Sequence, residues 1–145
     1  MRHFGLIGFP LSHSFSEGYF KDKFVRENIS NALYTNYPIA NIEAFNALWD
    51  ADENLEGLNV TIPYKEEVIA FLDEIDPDAK KIGAINVIDI RNNRLKGYNT
   101  DSVAFLQTLQ HHCLCHNQLL RHAYLAKDGI QQTQGYAALH DTGVR

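Results

Sequence analysis

The chain contains 145 residues, of which 45% are hydrophobic and 21% charged, so it has enough apolar material for one ordinary domain and is not a disordered chain. Its formal net charge of -5 argues against nucleic acid or an anionic membrane surface as the main partner, because both require clustered Lys and Arg. It contains neither an apolar run of about 18 residues nor a signal-type segment, so we expect a cytoplasmic globular protein with a small-molecule partner.

Predicted strands and helices alternate along the first 109 residues. Apolar, β-branched runs predict strands, and apolar residues at helical spacing predict amphipathic helices. The predicted strands cover residues 3–8, 32–37, 55–61, 84–90 and 95–98, and the predicted helices cover residues 17–28, 41–51, 66–72 and 101–109. Turn residues at 91–94 predict a hairpin. The pattern predicts an α/β fold with a three-layer open sheet, mostly parallel with an antiparallel hairpin at one edge, and flanking helices.

The composition changes sharply after residue 109. Residues 1–109 hold 10 Lys or Arg and 16 Asp or Glu, whereas residues 110–145 hold 3 and 2. The last 36 residues also contain five of the seven His and both Cys. We therefore predict one domain over residues 1–109 and an atypical tail over residues 110–145, in which Leu119, Leu120 and Leu125 favour a short helix.

Polar residues stand where predicted strands end, the usual position of ligand sites in open α/β sheets. Ser14 and Glu17 match the S-x-x-E capping box, so Ser14 is either a helix cap or a ligand contact. Ser16 is less easily explained by capping. Two hydroxyls and free N–H groups at one helix N-terminus are well suited to a carboxylate.

Three further polar residues have two interpretations each. Lys65 opposes the dipole at the start of a predicted helix, which favours a functional role, although an exposed lysine can also bend into water. Asp101 is either a helix N-cap or a catalytic carboxylate. Asn86 lies within a predicted apolar strand, so it is either a structural hydrogen-bonding residue or a ligand contact.

Other signals are absent or weak. No two of the nine glycines are separated by a single residue, so the chain has no G-x-G dinucleotide fingerprint, and it also has no P-loop. The tail segment His111-His112-Cys113-Leu114-Cys115-His116 contains soft-metal ligands. Its C-x-C spacing does not match structural zinc sites, so we interpret it as an incidental cluster and predict no metal site.

Taken together, the motifs resemble the N-terminal catalytic domain of shikimate dehydrogenase, over residues 3 to about 109. The order and spacing of several segments agree with that family. These segments are Gly8-Phe9-Pro10, His13-Ser14-Phe15-Ser16, Asn59-Val60-Thr61-Ile62-Pro63-Tyr64-Lys65, Gly83-Ala84-Ile85-Asn86 and Gly97-Tyr98-Asn99-Thr100-Asp101. One departure is Glu17, where the family usually has proline.

The resemblance implies a pocket for shikimate or 3-dehydroshikimate. In that pocket Ser14 and Ser16 hold the carboxylate, while Thr61, Asn86 and Asp101 contact hydroxyls. Lys65 also binds substrate and forms the catalytic pair with Asp101. The implied reaction is the reversible, NADP-dependent reduction of 3-dehydroshikimate to shikimate, in which a lysine beside a carboxylate stabilises the developing alkoxide and handles its proton.

In that family a glycine-rich NADP-binding domain follows the helix after Asp101, whereas this chain has the tail over residues 110–145. We therefore expect no cofactor-binding residue in this chain, and we interpret it as a truncated or frame-shifted product with weak or no turnover. The alternative is a non-catalytic shikimate-binding module. A metal-binding protein built on the tail ranks well below both.

Overall fold

A computed structural model describes residues 1–112. The chain divides into two units after Val103, and the described part of the second unit is the remainder of one helix. The predicted short helix around Leu119 and most of the tail cluster, with Cys113 and Cys115, lie outside the described residues. Within the described part, no helix is long and apolar enough to cross a membrane.

Six strands form one sheet in the order β2-β1-β3-β5-β6-β4. They are β1 (Arg2–Gly8), β2 (Ala32–Pro38), β3 (Leu55–Val60), β4 (Glu74–Ile75), β5 (Val87–Arg91) and β6 (Arg94–Tyr98). β1 is parallel to β2 and β3, and β4 is parallel to β6, whereas β5 is antiparallel to both of its neighbours. The predicted α/β fold with a mostly parallel sheet is confirmed.

Within residues 1–112, four α-helices and one 3-10 helix accompany the sheet. They are α1 (Ser16–Arg26), α2 (Ala44–Asp50), the 3-10 helix (Glu67–Phe71), α3 (Pro77–Ile82) and α4 (Asp101–His112). The prediction did not include α3, which has only six residues. Its ends are nevertheless well marked, because the Asp76 side chain accepts from the amides of Asp78 and Ala79 and Gly83 ends the helix at a φ of 74°.

Helices pack on both faces of the sheet. On one face, Phe20 of α1 stacks on Tyr34 of β2 with ring centroids 4.3 Å apart. The other face carries the main core, in which Ile7 of β1 is fully buried and belongs to the same apolar cluster as Phe45 of α2. Phe4 of β1 pairs with Tyr34 of β2. Because side chains alternate along a strand, Phe4 and Ile7 point to opposite faces of the sheet.

The predicted hairpin joins β5 to β6. Asn92 and Asn93 have φ values of 52° and 59°, as a two-residue primed turn requires. The hairpin is not the outermost element of the sheet, because β4 pairs with β6 through Glu74 and Ile75. A two-residue strand is too short to give a periodic signal, so it was not predicted.

Candidate active site

The predicted polar segments meet at one edge of the sheet. β1, β3 and β6 run in the same direction, so their carboxyl ends lie at the same edge. Because β5 runs the opposite way, its first residues lie there too, and Asn86 comes directly before β5. The strand order therefore sets the loop after β1, the segments after β3 and β6, and Asn86 side by side.

Ser14 and Ser16 lie where the loop after β1 enters α1. The helix begins at Ser16, and no side chain caps it. The Ser16 amide donates to Ser14 Oγ over 3.3 Å, and the Ser14 amide donates to the Leu11 carbonyl oxygen over 3.0 Å. Amides in the first turn of a helix have no partner within the helix, so they and the two hydroxyls form a set of donors suited to an anion.

The capping-box interpretation of Ser14 is wrong. The box requires Glu17 to be the third residue of the helix, but α1 begins two residues after Ser14, and Glu17 is its second residue. The Glu17 carboxylate instead accepts from Lys21 Nζ over 2.6 Å and from the Asn36 amide over 3.4 Å. The lysine lowers the pKa of Glu17, so its carboxylate stays charged at neutral pH.

Thr61 follows β3 and lies close to the end of β1. Its amide donates to the Ile7 carbonyl oxygen over 3.0 Å, which continues the pairing of the two strands past the last residue of β3. A Cβ atom on Gly8 would stand only 2.5 Å from Thr61 Cγ2. This close approach requires glycine at position 8 and holds the threonine against the loop that leads to the serines.

Lys65 and Asp101 form an ion pair across the site, although they are 36 residues apart in the chain. Lys65 Nζ donates to Asp101 Oδ2 over 2.5 Å, and the two side chains are 36% and 57% exposed. The Lys65 carbonyl oxygen accepts from the Ile85 amide over 2.6 Å. The lysine segment is thereby tied to the segment that carries Asn86.

Asn99, and not Asp101, caps the first turn of α4 with its side chain. Asn99 Oδ1 accepts from the Ser102 amide over 3.2 Å, and Asn99 Nδ2 donates to the Ala84 carbonyl oxygen over 2.9 Å. Asp101 is the first residue of α4, and both of its carboxylate oxygens accept from side chains, Lys65 and Asn86. The capping interpretation is therefore wrong for Asp101.

Asn86 is buried, and its side chain holds the segment that follows β6. It is 8% exposed, and its amide nitrogen donates to Asp101 Oδ1 over 2.8 Å and to Thr100 Oγ1 over 2.9 Å. Its side-chain oxygen accepts from the Thr100 amide over 2.8 Å. These contacts support the structural interpretation of Asn86, in which it fixes the position of Asp101, and its contact with a ligand stays a prediction.

Tyr34 and Asn59 support the serine side of the site, although neither was predicted as a site residue. Tyr34 is 2% exposed, and its hydroxyl donates to Asn59 Oδ1 over 2.8 Å. Burial raises the pKa of Tyr34 to about 12, and a hydrogen bond with the Ser16 side chain acts in the opposite direction. The only available signal was two polar side chains in neighbouring predicted strands, and pairing them required the sheet order.

The predicted site residues fall into two groups at this edge. We call Lys65, Asn86 and Asp101 the ion-pair group, because direct hydrogen bonds join Asp101 to the other two. We call Ser14, Ser16, Tyr34 and Asn59 the serine–tyrosine group. Thr61 stands between the two groups, because β3 lies between β1 and β5 in the sheet.

Two tests bear on bound cofactors. Among the described residues, no group of three His, Cys, Asp or Glu side chains could hold a metal ion. The same residues do not fit a dinucleotide, since they contain no G-x-G turn between a strand and a helix, which the dinucleotide fingerprint requires.

Comparison with known proteins gives a consistent result. Residues 6–88 match the family model described as the shikimate dehydrogenase substrate binding domain. A shikimate dehydrogenase (NADP(+)) of Dehalococcoides mccartyi is 46% identical over 109 residues, which cover 74% of this chain and 38% of that enzyme. The chain therefore spans about two fifths of the length of this relative.

Solved structures agree in fold. A crystal structure of shikimate dehydrogenase 1 from Peptoclostridium difficile is 42% identical, with a TM-score of 0.69 over 77% of this chain and 41% of the other. Shikimate 5-dehydrogenase from Thermus thermophilus, in complex with shikimate, is 31% identical, with a TM-score of 0.68 over 77% of this chain and 42% of the other.

Proposed function

Because the chain belongs to the shikimate dehydrogenase substrate-binding domain family, we propose that residues 1–109 form a pocket for shikimate and 3-dehydroshikimate. In this proposal, residues 110–145 are an atypical tail outside that domain. The observation that carries it is the Lys65–Asp101 pair, held by Asn86 at the edge where the serines also lie. The likeness to a shikimate-bound relative supports the choice of ligand.

The two groups take different parts of the substrate. Ser14 and Ser16, with amides of the first turn of α1, donate to the carboxylate. Thr61, Asn86 and Asp101 contact the ring hydroxyls, and a charged acceptor such as Asp101 makes the stronger kind of hydrogen bond. A ligand with a carboxylate at one end and hydroxyls at the other matches this order of groups along the sheet edge.

Lys65 and Asp101 handle the proton of the reaction. When the ketone of 3-dehydroshikimate is reduced, the oxygen gains negative charge, and the Lys65 ammonium stabilises that charge and donates a proton to it. Asp101 holds the lysine in place and accepts a hydrogen bond from the neighbouring hydroxyl. In the reverse direction the neutral lysine accepts the proton from the hydroxyl of shikimate.

The reduction also needs a hydride donor, and relatives are named as NADP(+) enzymes. Since residues 1–112 do not fit a dinucleotide, the steps that we assign to this chain are substrate binding and proton transfer. This observation favours a second candidate, a shikimate-binding module without redox activity.

The experiment is a calorimetric titration of the purified 145-residue chain with shikimate, paired with an NADP-dependent oxidation assay on the same sample. We expect saturable binding, with a stoichiometry near one, and turnover that is weak or below detection. Binding without turnover supports the binding module, and turnover above that of a Lys65→Ala control supports the dehydrogenase. If shikimate does not bind, the proposed pocket is wrong.

A further inference from the structure

Asn99 has no role in the proposed function, yet its side chain joins the start of α4 to the segment before β5. Asn99 Oδ1 accepts from the Ser102 amide over 3.2 Å, and Asn99 Nδ2 donates to the Ala84 carbonyl oxygen over 2.9 Å. The first bond runs from a side chain to the amide three residues further on, as in the N-cap of a helix. The second bond, made by the same planar amide group, fixes the direction in which Oδ1 points.

Two residues that are good helix caps, Asn99 and Asp101, stand two positions apart at the start of α4. Because a cap accepts from amides two and three residues further on, each of them would begin the helix at a different place. With Asn99 as the cap, the Asp101 carboxylate accepts from Lys65 Nζ over 2.5 Å and from Asn86 Nδ2 over 2.8 Å. With Asp101 as the cap, that carboxylate would turn to the amides of its own helix and leave the lysine.

Thr100, which lies between the two caps, is held by another residue. Its hydroxyl accepts from Asn86 Nδ2 over 2.9 Å, and its amide donates to Asn86 Oδ1 over 2.8 Å. The choice of cap is therefore between Asn99 and Asp101.

The same short segment holds the backbone at both ends of the ion pair. The Ile85 amide donates to the Lys65 carbonyl oxygen over 2.6 Å, and the preceding residue, Ala84, accepts from Asn99. The bond between Asn99 and Ala84 thus fixes the start of α4, and with it Asp101, relative to the lysine segment.

We propose that Asn99 is a positioning residue, which selects the start of α4 and so keeps the Asp101 carboxylate on Lys65. For its effect on shikimate, this inference rests on the proposed function, in which Asp101 contacts a ring hydroxyl. Asn99 does not contact the substrate in that pocket. Its effect passes through Asp101.

The first test follows the ion pair in the full chain without substrate. With isotope-labelled lysine, NMR detects the Lys65 ammonium group, whose protons exchange with water more slowly when a carboxylate holds them. Asp101→Asn gives the signal of the unpaired lysine. We expect Asn99→Ala to move the Lys65 signal toward that reference. Asn99→Ser moves it less than Asn99→Ala does, because a serine hydroxyl can cap the same amide.

The second test is a double-mutant cycle on shikimate binding, with Asn99→Ala, Asp101→Asn and the double variant. Calorimetric titration gives the dissociation constants. We expect Asn99→Ala to weaken binding by about 3- to 10-fold, which is the effect of one hydrogen bond. In the Asp101→Asn background the same substitution has no further effect, because its influence passes through the carboxylate.

Asn41→Ala is the matched control. Asn41 Oδ1 accepts from the Glu43 amide over 2.7 Å before the start of α2, so this substitution removes the same kind of local bond at another helix. The Lys65 signal stays in place, and shikimate binding stays within about twofold. Urea unfolding of all variants reports how far each substitution loosens the fold. A merely structural role of Asn99 would lower stability without moving the Lys65 signal.

Three results would overturn the inference. They are an unmoved Lys65 signal in a folded Asn99→Ala variant, an equal shift of that signal in Asn99→Ser, and a loss of shikimate affinity that adds fully to that of Asp101→Asn. If the unmodified chain does not bind shikimate, the proposed function is wrong, and the Lys65 signal still tests the role of Asn99.

If Asn99→Ala does not fold, hydrogen exchange in the unmodified chain decides. With Asn99 as the cap, the Ser102 amide is hydrogen-bonded and exchanges slowly. A Ser102 amide that exchanges as fast as in an unfolded chain overturns the inference.

Discussion

The ion-pair group and the serine–tyrosine group hold their polar side chains at the same sheet edge in different ways. In the ion-pair group two charged and partly exposed side chains pair with each other, and the buried amide of Asn86 fixes the carboxylate. In the serine–tyrosine group the serines are uncharged and partly buried, and the Tyr34 phenol is buried. Each group therefore combines a buried neutral residue with polar residues that are partly exposed.

The difference matches the two chemical tasks that we propose for the site. Proton transfer needs groups that carry charge and exchange protons, and leaving them half exposed avoids the large cost of burying an ion pair. Recognition of an anion needs neutral donors that are already oriented, because a second negative charge would repel the ligand and free rotation would weaken each hydrogen bond. A single sheet edge therefore provides both environments.

The largest expected effect is on kcat, and it distinguishes Lys65 from Lys96, the lysine of a similar ion pair outside the site. Lys96 Nζ and Glu74 Oε1 are also 2.5 Å apart, with exposures of 34% and 52%. In a chimaera of residues 1–109 with the remaining part of the Dehalococcoides mccartyi relative, we expect Lys65→Ala to lower kcat by about 10²–10⁴-fold, the range for a general acid or base. Lys96→Ala leaves kcat within about twofold.

Steady-state oxidation of shikimate measures both variants, and circular dichroism checks that both are folded. The assignment of Lys65 fails if Lys65→Ala retains more than a tenth of the activity, or if Lys96→Ala loses as much.

The next effect concerns the support of the ion-pair group. Asn86→Ala leaves Asp101 Oδ1 and the Thr100 amide without their partner, so we expect the free energy of unfolding to fall by about 1–3 kcal/mol. We expect binding of shikimate and of its methyl ester to weaken to the same degree, because the proposed pocket places Asp101 at the ring and not at the carboxylate. Urea unfolding and the two titrations measure this.

Asn46→Ala is the control for that variant, since Asn46 is exposed on α2 and its substitution changes stability by less than about 0.5 kcal/mol. If Asn86→Ala weakens only shikimate, the ion-pair group contacts the carboxylate, and our division of the site is wrong.

The smallest effect concerns Glu17, an acidic residue beside the proposed carboxylate site. Its pKa lies below the ordinary value because Lys21 pairs with it, so Glu17 remains charged at any pH well above 4.5. Lys21 offsets most of that charge. We therefore expect Glu17→Gln to strengthen shikimate binding by only about twofold, equally at pH 6 and pH 8, and less at high salt.

Calorimetric titration at two salt concentrations measures this, and Glu27→Gln, a substitution at the other end of α1 in another lysine pair, is the control. Weaker binding in Glu17→Gln would contradict the placement of the carboxylate near α1.

The lowered pKa of Glu17 also affects the stability of the fold. The paired Glu17 carboxylate stabilises the fold above the unfolded pKa, and this contribution is lost as the pH falls through the folded pKa.

Much of the fold was predictable because periodicity reports burial directly. The strands and helices of residues 1–72 appear near their predicted positions, although α2 begins at Ala44 and not at residue 41. The segment 66–72 was predicted as a helix and forms a 3-10 helix over Glu67–Phe71. β4 and α3, with two and six residues, are too short to show a period, and only the capping residues around α3 could have indicated it.

The candidate site was predictable in its residues but not in its contacts. Local chemistry and the family resemblance selected Lys65, Asn86 and Asp101, and the structure brings these three together. Local patterns misled where two uses of one residue type look alike. Ser14 and Asp101 both match helix-cap patterns, yet neither caps a helix in the predicted way: α1 begins two residues after Ser14, and Asn99 accepts from the first turn of α4 in place of Asp101.

The amino-acid sequence by itself determined the alternation of strands and helices, the polar segments at the strand ends and the family resemblance, because each of these is local along the chain. Only the tertiary structure decided that β5 also pairs with β3, in the antiparallel direction, which brings Asn86 to the edge that holds Lys65 and Asp101. It also decided that Tyr34 of β2 reaches Asn59 of β3. The physical reason is that the side-chain period shows which face of a strand is buried, but not which strand lies beside it or in which direction that strand runs.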